Sequence, residues 1–147
     1  MGDHQERVTR FMLRAGQEVP SKISIPSEEV RRLRAKLILE EAEETIIALG
    51  YNIYEGEDGE LHVRRHPYLQ PNLVEIIDGV ADLSVVNIGT SIACGVDIRP
   101  ILKAVDQNNL DKFGPGHSIR EDGKLVKPPN HTPPDIKRLL EEQGWET

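Results

Sequence analysis

The sequence predicts a mainly α protein with a four-helix-bundle core and small β hairpins attached to it. Long segments carry apolar residues at helical spacing, and residues that favour helix ends bound them. Two Asp-Gly pairs, in EGEDGEL and REDGKLV, are typical of tight hairpin turns. The chain has 147 residues, of which 37% are hydrophobic. This is enough for one ordinary core, so a single domain over residues 1–147 is expected.

The first half of the chain predicts two helices and a hairpin. Residues 5–15 place apolar side chains on one face of a short helix, which Gly16 ends. Ser27 is a favourable N-cap for a second helix, and Gly50 follows its last turn. Residues 51–66 alternate loosely around the first Asp-Gly pair, which predicts a small hairpin.

The second half predicts three further helices and another hairpin. Residues 71–94 form a helix that is apolar on nearly every side, as expected for the central member of a bundle. Asp97 is the expected cap of a helix over residues 99–112. A hairpin around EDGK follows, and a short helix begins at Pro134.

Composition excludes several classes of function. The net charge of -7 disfavours binding to nucleic acid polymers, because phosphate contacts need clustered Lys and Arg. The single cysteine, Cys94, allows no disulfide framework within one chain. No signal-like segment opens the chain, and acidic or polar residues interrupt its apolar stretches. We therefore expect a cytoplasmic protein without membrane association.

Two acidic clusters lie on the apolar faces of the second and third predicted helices. They comprise Glu40, Glu41 and Glu44 in LILEEAEETIIAL, and Glu75, Asp78 and Asp82 in VEIIDGVADLSVV. At about 100° per residue, both clusters continue apolar stripes and are expected to point inward. Buried carboxylates are costly unless they are paired or bind a metal. Neither Glu44 nor Asp82 has Lys or Arg three or four residues away, so a divalent cation is the simplest compensation.

The ligand types favour a hard cation at these clusters. None of the five histidines lies on either acidic helix, so only oxygen ligands are available. Mg²⁺ or Mn²⁺ is therefore favoured over zinc or iron. The missing histidines disfavour a di-iron carboxylate site, which uses Glu-x-x-His pairs. Magnesium held by carboxylates keeps positions open for substrate phosphates, so the clusters suit phosphoryl chemistry.

The spacing E-E-x-x-E followed by E-x-x-D on a later helix resembles the all-α nucleotide pyrophosphohydrolases, the MazG and phosphoribosyl-ATP pyrophosphohydrolase superfamily. Its first motif matches Glu40, Glu41 and Glu44. Its second matches either Glu75 with Asp78, or Asp78 with Asp82, because Gly79 stands where the common form has Glu. The segment NNLDKFGPG is similar to that of small phage and bacterial members, and its Asn109 and Lys112 match their phosphate-binding residues.

This resemblance implies hydrolysis of a nucleoside triphosphate between its α and β phosphates, in a homodimer or homotetramer. It implies metal ligands among Glu41, Glu44, Asp78, Asp82 and Glu75, a water-assisting role for Glu40, and phosphate contacts from Asn109 and Lys112. Similarity to phage MazZ-type enzymes favours dGTP or GTP as the substrate, with dUTP as the alternative. Arg34 lies within the apolar sector near Glu41 and is interpreted as its salt-bridge partner rather than as a phosphate contact. The alternative hypothesis is a non-catalytic, metal-stabilised interaction domain.

Overall fold

A computed structural model describes residues 2–146 as five helices and two antiparallel hairpins. This confirms the predicted mainly α fold with small β hairpins. The elements in order are α1 His4–Arg14, α2 Glu28–Ala48, β1 Tyr51–Glu55, β2 Leu61–Arg65, α3 Leu73–Ala93, α4 Arg99–Asp111, β3 Ser118–Ile119, β4 Leu125–Val126 and α5 Ile136–Glu142.

Side-chain caps begin the first three helices. Ser27 accepts a hydrogen bond from the backbone N–H of Val30 at 3.3 Å, as its N-cap position predicts. Asp3 and Glu6 form a reciprocal capping box at the start of α1. Asn72 caps α3 through its side-chain oxygen. These caps satisfy backbone donors that have no partner within the helix.

Asp97 bonds to the first backbone N–H of α4, as its predicted capping role requires, but from one residue before the N-cap position. Ile98, and not Asp97, precedes the helix, and it makes no side-chain cap. Its backbone is already near the helical region, with φ -76° and ψ -18°. The Asp97 carboxylate instead accepts hydrogen bonds from the backbone N–H and the guanidinium of Arg99. Asp97 therefore fixes the approach to the helix from outside it.

Packing of α2 against α3, with α1 beside α3, builds the part of the fold that carries the acidic residues. The buried apolar cluster consists of Val8 and Met12 from α1 with Ile92 and Ala93 from α3. Close approach of α2 and α3 depends on Gly79: a Cβ atom there would lie 2.4 Å from Thr45 Oγ1 and 3.1 Å from Thr45 Cα. The two helices hence meet almost backbone to backbone at this point.

The β1–β2 hairpin interrupts the connection between α2 and α3 without separating them. The residues that flank the hairpin are joined, because the N–H of His66 donates to the carbonyl of Gly50 at 2.7 Å. The start of α3 is joined to the end of α2, because the N–H of Asn72 donates to the carbonyl of Ala48 at 3.1 Å. Gly50 has φ +90°, a left-handed conformation that favours glycine. The chain therefore leaves and re-enters the helical core at one place.

The C-terminal elements form a second group, in which α4 packs against α5. The Gln143 side chain, after α5, bonds to the loop between α3 and α4: it accepts from the N–H of Asp97 at 2.9 Å and donates to the Asp97 carbonyl at 2.7 Å. Ile101 is buried at the start of α4. The C-terminal half of α4 is mostly exposed.

Helix α3 is apolar well beyond what one chain covers. Leu73, Val74 and Ile77 are 72%, 78% and 58% exposed. By length and composition α3 could cross a membrane, with a mean hydropathy of 1.4. The acidic residues that are expected from the sequence to interrupt its apolar stretch, such as Asp78 and Asp82, do lie within it. Core helices of soluble proteins pass the same test. The packing of α3 along α2, with Gly79, Val86 and Gly89 buried, is typical of such a core helix.

Candidate active site

A groove between α1, α2 and α3 brings one residue of each acidic cluster together. We call it the central groove, and its volume is about 270 Å³. Glu41 comes from the middle of α2 and Asp82 from the middle of α3, since the two helices run side by side there. The lining also includes Phe11 and Met12 from α1, Leu37 from α2 and Val86 from α3. The carboxylates thus stand at the edge of a mostly apolar depression.

Glu41 is the most perturbed carboxylate at this groove. It is half-buried, and its Oε2 atom is buried without a hydrogen-bond partner among the residues that the structure describes. Burial raises the pKa of Glu41, and the nearby carboxylates of Glu44, Asp82 and Glu40 raise it further. A buried oxygen without a donor, surrounded by like charges, is the environment that a cation would stabilise.

The donor set at the groove fits a divalent cation. Glu41 and Asp82 line the groove and offer carboxylate oxygens. Glu44 does not line it, but its carboxylate, like that of Asp82, is close enough to raise the pKa of Glu41. Hard cations prefer such ligands. The orphaned Oε2 of Glu41 supplies a lone pair that no protein donor occupies within residues 2–146. These residues could hold a metal of the Mg²⁺ or Mn²⁺ type.

The remaining predicted acidic residues are more exposed than the sequence pattern indicates. Glu44, Asp78, Asp82 and Glu75 are all exposed, so the expected burial holds in part for Glu41 and is wrong for these four in a single chain. These carboxylates are exposed because α4 packs against α5 and does not line the central groove, so it does not shield them from solvent. Glu44, Glu75 and Asp78 do not line the central groove.

Glu40 stands beside the groove on the exposed side of α2. Its carboxylate lies 3.8 Å from the Lys36 ammonium one turn earlier, and both side chains are largely exposed. A pair of this kind contributes little to stability. The carboxylate of Glu40 is therefore available for another role, and it is close enough to raise the pKa of Glu41.

Asn109 and Lys112 lie together at the end of α4. The Lys112 ammonium donates to the Asn109 side-chain oxygen at 2.9 Å. Neither residue lines the central groove of the same chain. The structure thus brings these two predicted phosphate-binding residues to each other, and does not bring them to Glu41 and Asp82.

Arg34 lines the central groove and was not predicted as a site residue. It is only 6% exposed, and burial lowers the pKa of its guanidinium. The expected salt bridge to Glu41 is wrong: the guanidinium bonds to Val86, Thr90 and Gln17. The partners on α3 are more than fifty residues away in sequence, so periodicity along α2 could not identify them. A basic residue within an apolar stripe was the available signal.

A second group of metal-binding side chains lies on the first hairpin. Asp58, Glu60 and His62 place one ligand atom each within 4.8 Å of one another, and the group fits a divalent metal. The His62 ring nitrogen lies 3.0 Å from an Asp58 oxygen. Hydrogen bonds from the backbone N–H of Glu60 and from His62 lower the pKa of Asp58. The run DGELH at the turn was the signal in the sequence.

The fold and its carboxylates agree with one protein family. Residues 7–109 match the family described as phosphoribosyl-ATP pyrophosphohydrolase, which is more than half of the chain. The match includes most of α1, all of α2, the first hairpin and α3, the predicted acidic residues, and α4 as far as Asn109. It defines the class as pyrophosphohydrolases, enzymes that hydrolyse an acid anhydride bond. The chain belongs to the phosphoribosyl-ATP pyrophosphohydrolase family, which confirms the resemblance in its motifs. No curated protein matches the chain.

Proposed function

We propose that the protein hydrolyses a nucleoside triphosphate between the α and β phosphates, with Mg²⁺ as cofactor. The products are the nucleoside monophosphate and pyrophosphate. The observation that carries this proposal is the orphaned, half-buried Glu41 carboxylate beside Glu44 and Asp82 in a pyrophosphohydrolase fold. Mn²⁺ should substitute for Mg²⁺, because both prefer oxygen ligands.

The acidic side chains would divide between metal binding and water activation. Glu41, Glu44 and Asp82 would hold the cation from two facing helices, and Asp78 would add a ligand one turn before Asp82. Glu75 is the alternative partner of Asp78. When bound, the metal would activate the attacking water and neutralise charge on the phosphate.

Glu40 would orient the water and accept its proton. Its exposure leaves the carboxylate accessible, and its only ion pair within residues 2–146 is the long contact with Lys36. A general base must come within hydrogen-bond reach of the proton that it accepts. Glu40 stands next to Glu41 in the chain, and its charge acts on that residue.

Asn109 and Lys112 would bind substrate phosphates. Their mutual hydrogen bond uses one of three ammonium donors, which leaves two for phosphate oxygens. Since they do not line the groove of their own chain, we propose that they approach the site of a second copy in a homodimer or homotetramer. Charge-assisted hydrogen bonds of this kind stabilise bound phosphate and transition state alike.

The leading substrate is dGTP or GTP, and dUTP is the alternative. This preference rests on the likeness of NNLDKFGPG to the phage MazZ-type enzymes, because no side chain at the groove is assigned to a base. A screen should include the common ribo- and deoxynucleoside triphosphates. It should also include phosphoribosyl-ATP, because the family takes its name from that compound.

Product analysis tests the proposal directly. Phosphorus NMR of a reaction with Mg²⁺ should show pyrophosphate and a monophosphate, and ¹⁸O-labelled water should identify the attacked phosphorus. Orthophosphate with a diphosphate would contradict the proposed cleavage position. Metal binding without turnover of any substrate would instead support the alternative hypothesis, a non-catalytic, metal-stabilised interaction domain.

A further inference from the structure

Arg34 is a buried cation whose hydrogen-bond partners are all neutral. Its Nη2 donates to the carbonyl of Val86 at 2.8 Å, its Nε to the hydroxyl of Thr90 at 3.1 Å, and its Nη1 to the side-chain oxygen of Gln17 at 3.4 Å. Burial lowers the pKa of Arg34, the nearby Cys94 thiol raises it in part, and no carboxylate contributes. Burying a charge is costly unless an opposite charge compensates it. The Arg34 guanidinium is therefore short of a counter-ion in the described part of the chain.

The position of Arg34 relates it to the acidic end of the central groove. Arg34 and Glu41 are seven residues apart on α2, so they share one helix face about 10 Å apart along the axis. Both line the groove, with Leu37 between them. The groove thus has carboxylates at one end and an uncompensated cation at the other.

Free donors remain on the guanidinium. Arginine has five N–H donors in a fixed fork, and the three bonds leave one hydrogen on each terminal nitrogen without an assigned acceptor. The Gln17 bond is the longest of the three, and Gln17 lies in the loop after α1. A planar fork with two parallel N–H groups matches two oxygens of a phosphate.

One acceptor of the Arg34 guanidinium does not depend on it alone. The carbonyl of Val86 also accepts a hydrogen bond from the Thr90 hydroxyl at 2.8 Å, so it keeps a partner without Arg34. The guanidinium also occupies the place of a side chain at Gly89, where a Cβ atom would lie 2.4 Å from Nη2. The residue at this position of α3 thus leaves room for the guanidinium.

We propose that Arg34 binds the pyrophosphate portion of the substrate at the end of the central groove opposite Glu41 and Asp82. This inference rests on the proposed function, since it names the part of the triphosphate that the groove holds. The arrangement orients the substrate, because its phosphate chain runs from the carboxylate end to the guanidinium. Arg34 would also hold the pyrophosphate product before its release.

Binding of inorganic pyrophosphate tests this role without turnover. Isothermal titration calorimetry with Mg²⁺ present should show that Arg34→Gln weakens pyrophosphate binding at least about tenfold, the effect of losing charge-assisted hydrogen bonds. Arg32→Gln is the matched control, because Arg32 is an exposed arginine on the same helix. It should bind as the unchanged protein does. Pyrophosphate should also raise the Tm of the unchanged protein and of Arg32→Gln, and not that of Arg34→Gln.

A conservative variant covers the case in which Arg34→Gln does not fold. Arg34→Lys keeps the charge and removes the fork, so its pyrophosphate affinity should also fall by about tenfold. Unchanged affinity in a folded Arg34→Gln or in Arg34→Lys would overturn the proposal. Absence of pyrophosphate binding to the unchanged protein would overturn it as well.

The same measurements separate this inference from the proposed function. If the protein binds pyrophosphate through Arg34 and hydrolyses no nucleoside triphosphate, the proposed reaction fails and the anion site stands. If it releases pyrophosphate from a triphosphate and Arg34→Gln leaves both KM and pyrophosphate affinity unchanged, the reaction stands and the anion site fails.

Discussion

Glu41 illustrates how one side chain can be unfavourable in the isolated protein and useful in the working one. Burial and three neighbouring carboxylates disfavour its charged form. The same features concentrate negative charge where a cation would bind. The cost of keeping Glu41 ionised in the metal-free protein therefore becomes affinity when a divalent metal is present.

The pKa of Glu41 predicts a pH dependence of stability in the metal-free protein. Because the pKa is raised above its ordinary value of 4.5, the folded chain holds this proton more tightly than the unfolded chain. Below that value the Glu41 carboxyl is protonated in both states and does not lower the free energy of unfolding. As pH rises above it, the ionised carboxylate destabilises the folded state progressively. With EDTA present, Glu41→Gln should therefore gain Tm relative to the unchanged protein on going from about pH 4 to about pH 7. Glu43→Gln, an exposed neighbour, should show no such gain.

Removing either facing carboxylate should stop the reaction. Glu41→Gln or Asp82→Asn should lower kcat at saturating Mg²⁺ by at least about a hundredfold, because metal stabilisation of the transition state amounts to several kcal/mol. Steady-state release of pyrophosphate measures this, and circular dichroism checks that the variants fold. Near-normal turnover by either variant would remove that residue from the metal site.

Lys112 should matter to catalysis more than to folding. Lys112→Ala should lower kcat/KM by about ten- to a hundredfold, since a charge-assisted hydrogen bond contributes about 1.5 to 3 kcal/mol. Its Tm should change little, because the hydrogen bond from Lys112 to Asn109 is exposed to solvent. Lys103→Ala, at an exposed lysine on the same helix, is the control. Equal kcat/KM for both variants would contradict a phosphate-binding role.

At the scale of elements, the pairing of α2 with α3 depends on a missing side chain. Gly79 stands where the common motif has Glu, and Thr45 of α2 fills the space that its side chain would take. The Thr45 hydroxyl donates to the carbonyl of Glu41 at 2.7 Å. The threonine that packs against Gly79 is thus hydrogen-bonded to the backbone of Glu41, which lines the central groove.

Gly79→Ala should destabilise the protein although alanine favours helices. The new Cβ would meet both the side chain and the Cα of Thr45, and backbone atoms cannot move aside cheaply. We expect a loss of about 1 to 3 kcal/mol in the free energy of unfolding, as for overpacked cores. Denaturant unfolding measures it. Ser84→Ala, at an exposed position of α3, should change stability by no more than about 0.5 kcal/mol. A gain in stability for Gly79→Ala would show that the helices can separate at little cost.

Local signals made the elements predictable. Ser27 and Gly50 bound α2, and the two Asp-Gly pairs form hairpin turns, because caps and turns depend on a few adjacent residues. The burial and contacts of a side chain depend on residues distant in sequence, so local patterns do not predict them. Periodicity placed Glu44 on an inward face, but its side chain is exposed within residues 2–146. The acidic residues were identified as a group, whereas the environment of Arg34 required the packing of α3.

At the scale of the whole molecule, the exposed apolar face of α3 favours self-association. Leu73, Val74 and Ile77 lie near one another at its start and are mostly exposed. A second copy of the chain would cover such a face, and the family resemblance implies dimers or tetramers. Assembly could also bring Asn109 and Lys112 of one chain to the groove of another.

A charge on this face should dissociate the assembly. Light scattering at micromolar concentration should give a dimer or tetramer for the unchanged protein and a monomer for Ile77→Glu, because an ionised side chain is costly in an apolar interface. Leu61→Glu places the same charge on an exposed apolar residue of the hairpin. It should leave the assembly intact. A fully active monomer of the unchanged protein would contradict the proposed association.

The hairpin between α2 and α3 makes this part of the chain tolerant of changes in length. The bond between Gly50 and His66 closes the hairpin at its base, and the bond between Ala48 and Asn72 joins α2 to the start of α3. The entropy of closing a loop grows only slowly with its length, so a shorter or longer connection should leave the helix pair in place. The hairpin also carries Asp58 and its two neighbouring metal-type ligands. A shortened chain that retained Mg²⁺-dependent turnover would assign the essential cation to the helices and leave the hairpin free to diverge.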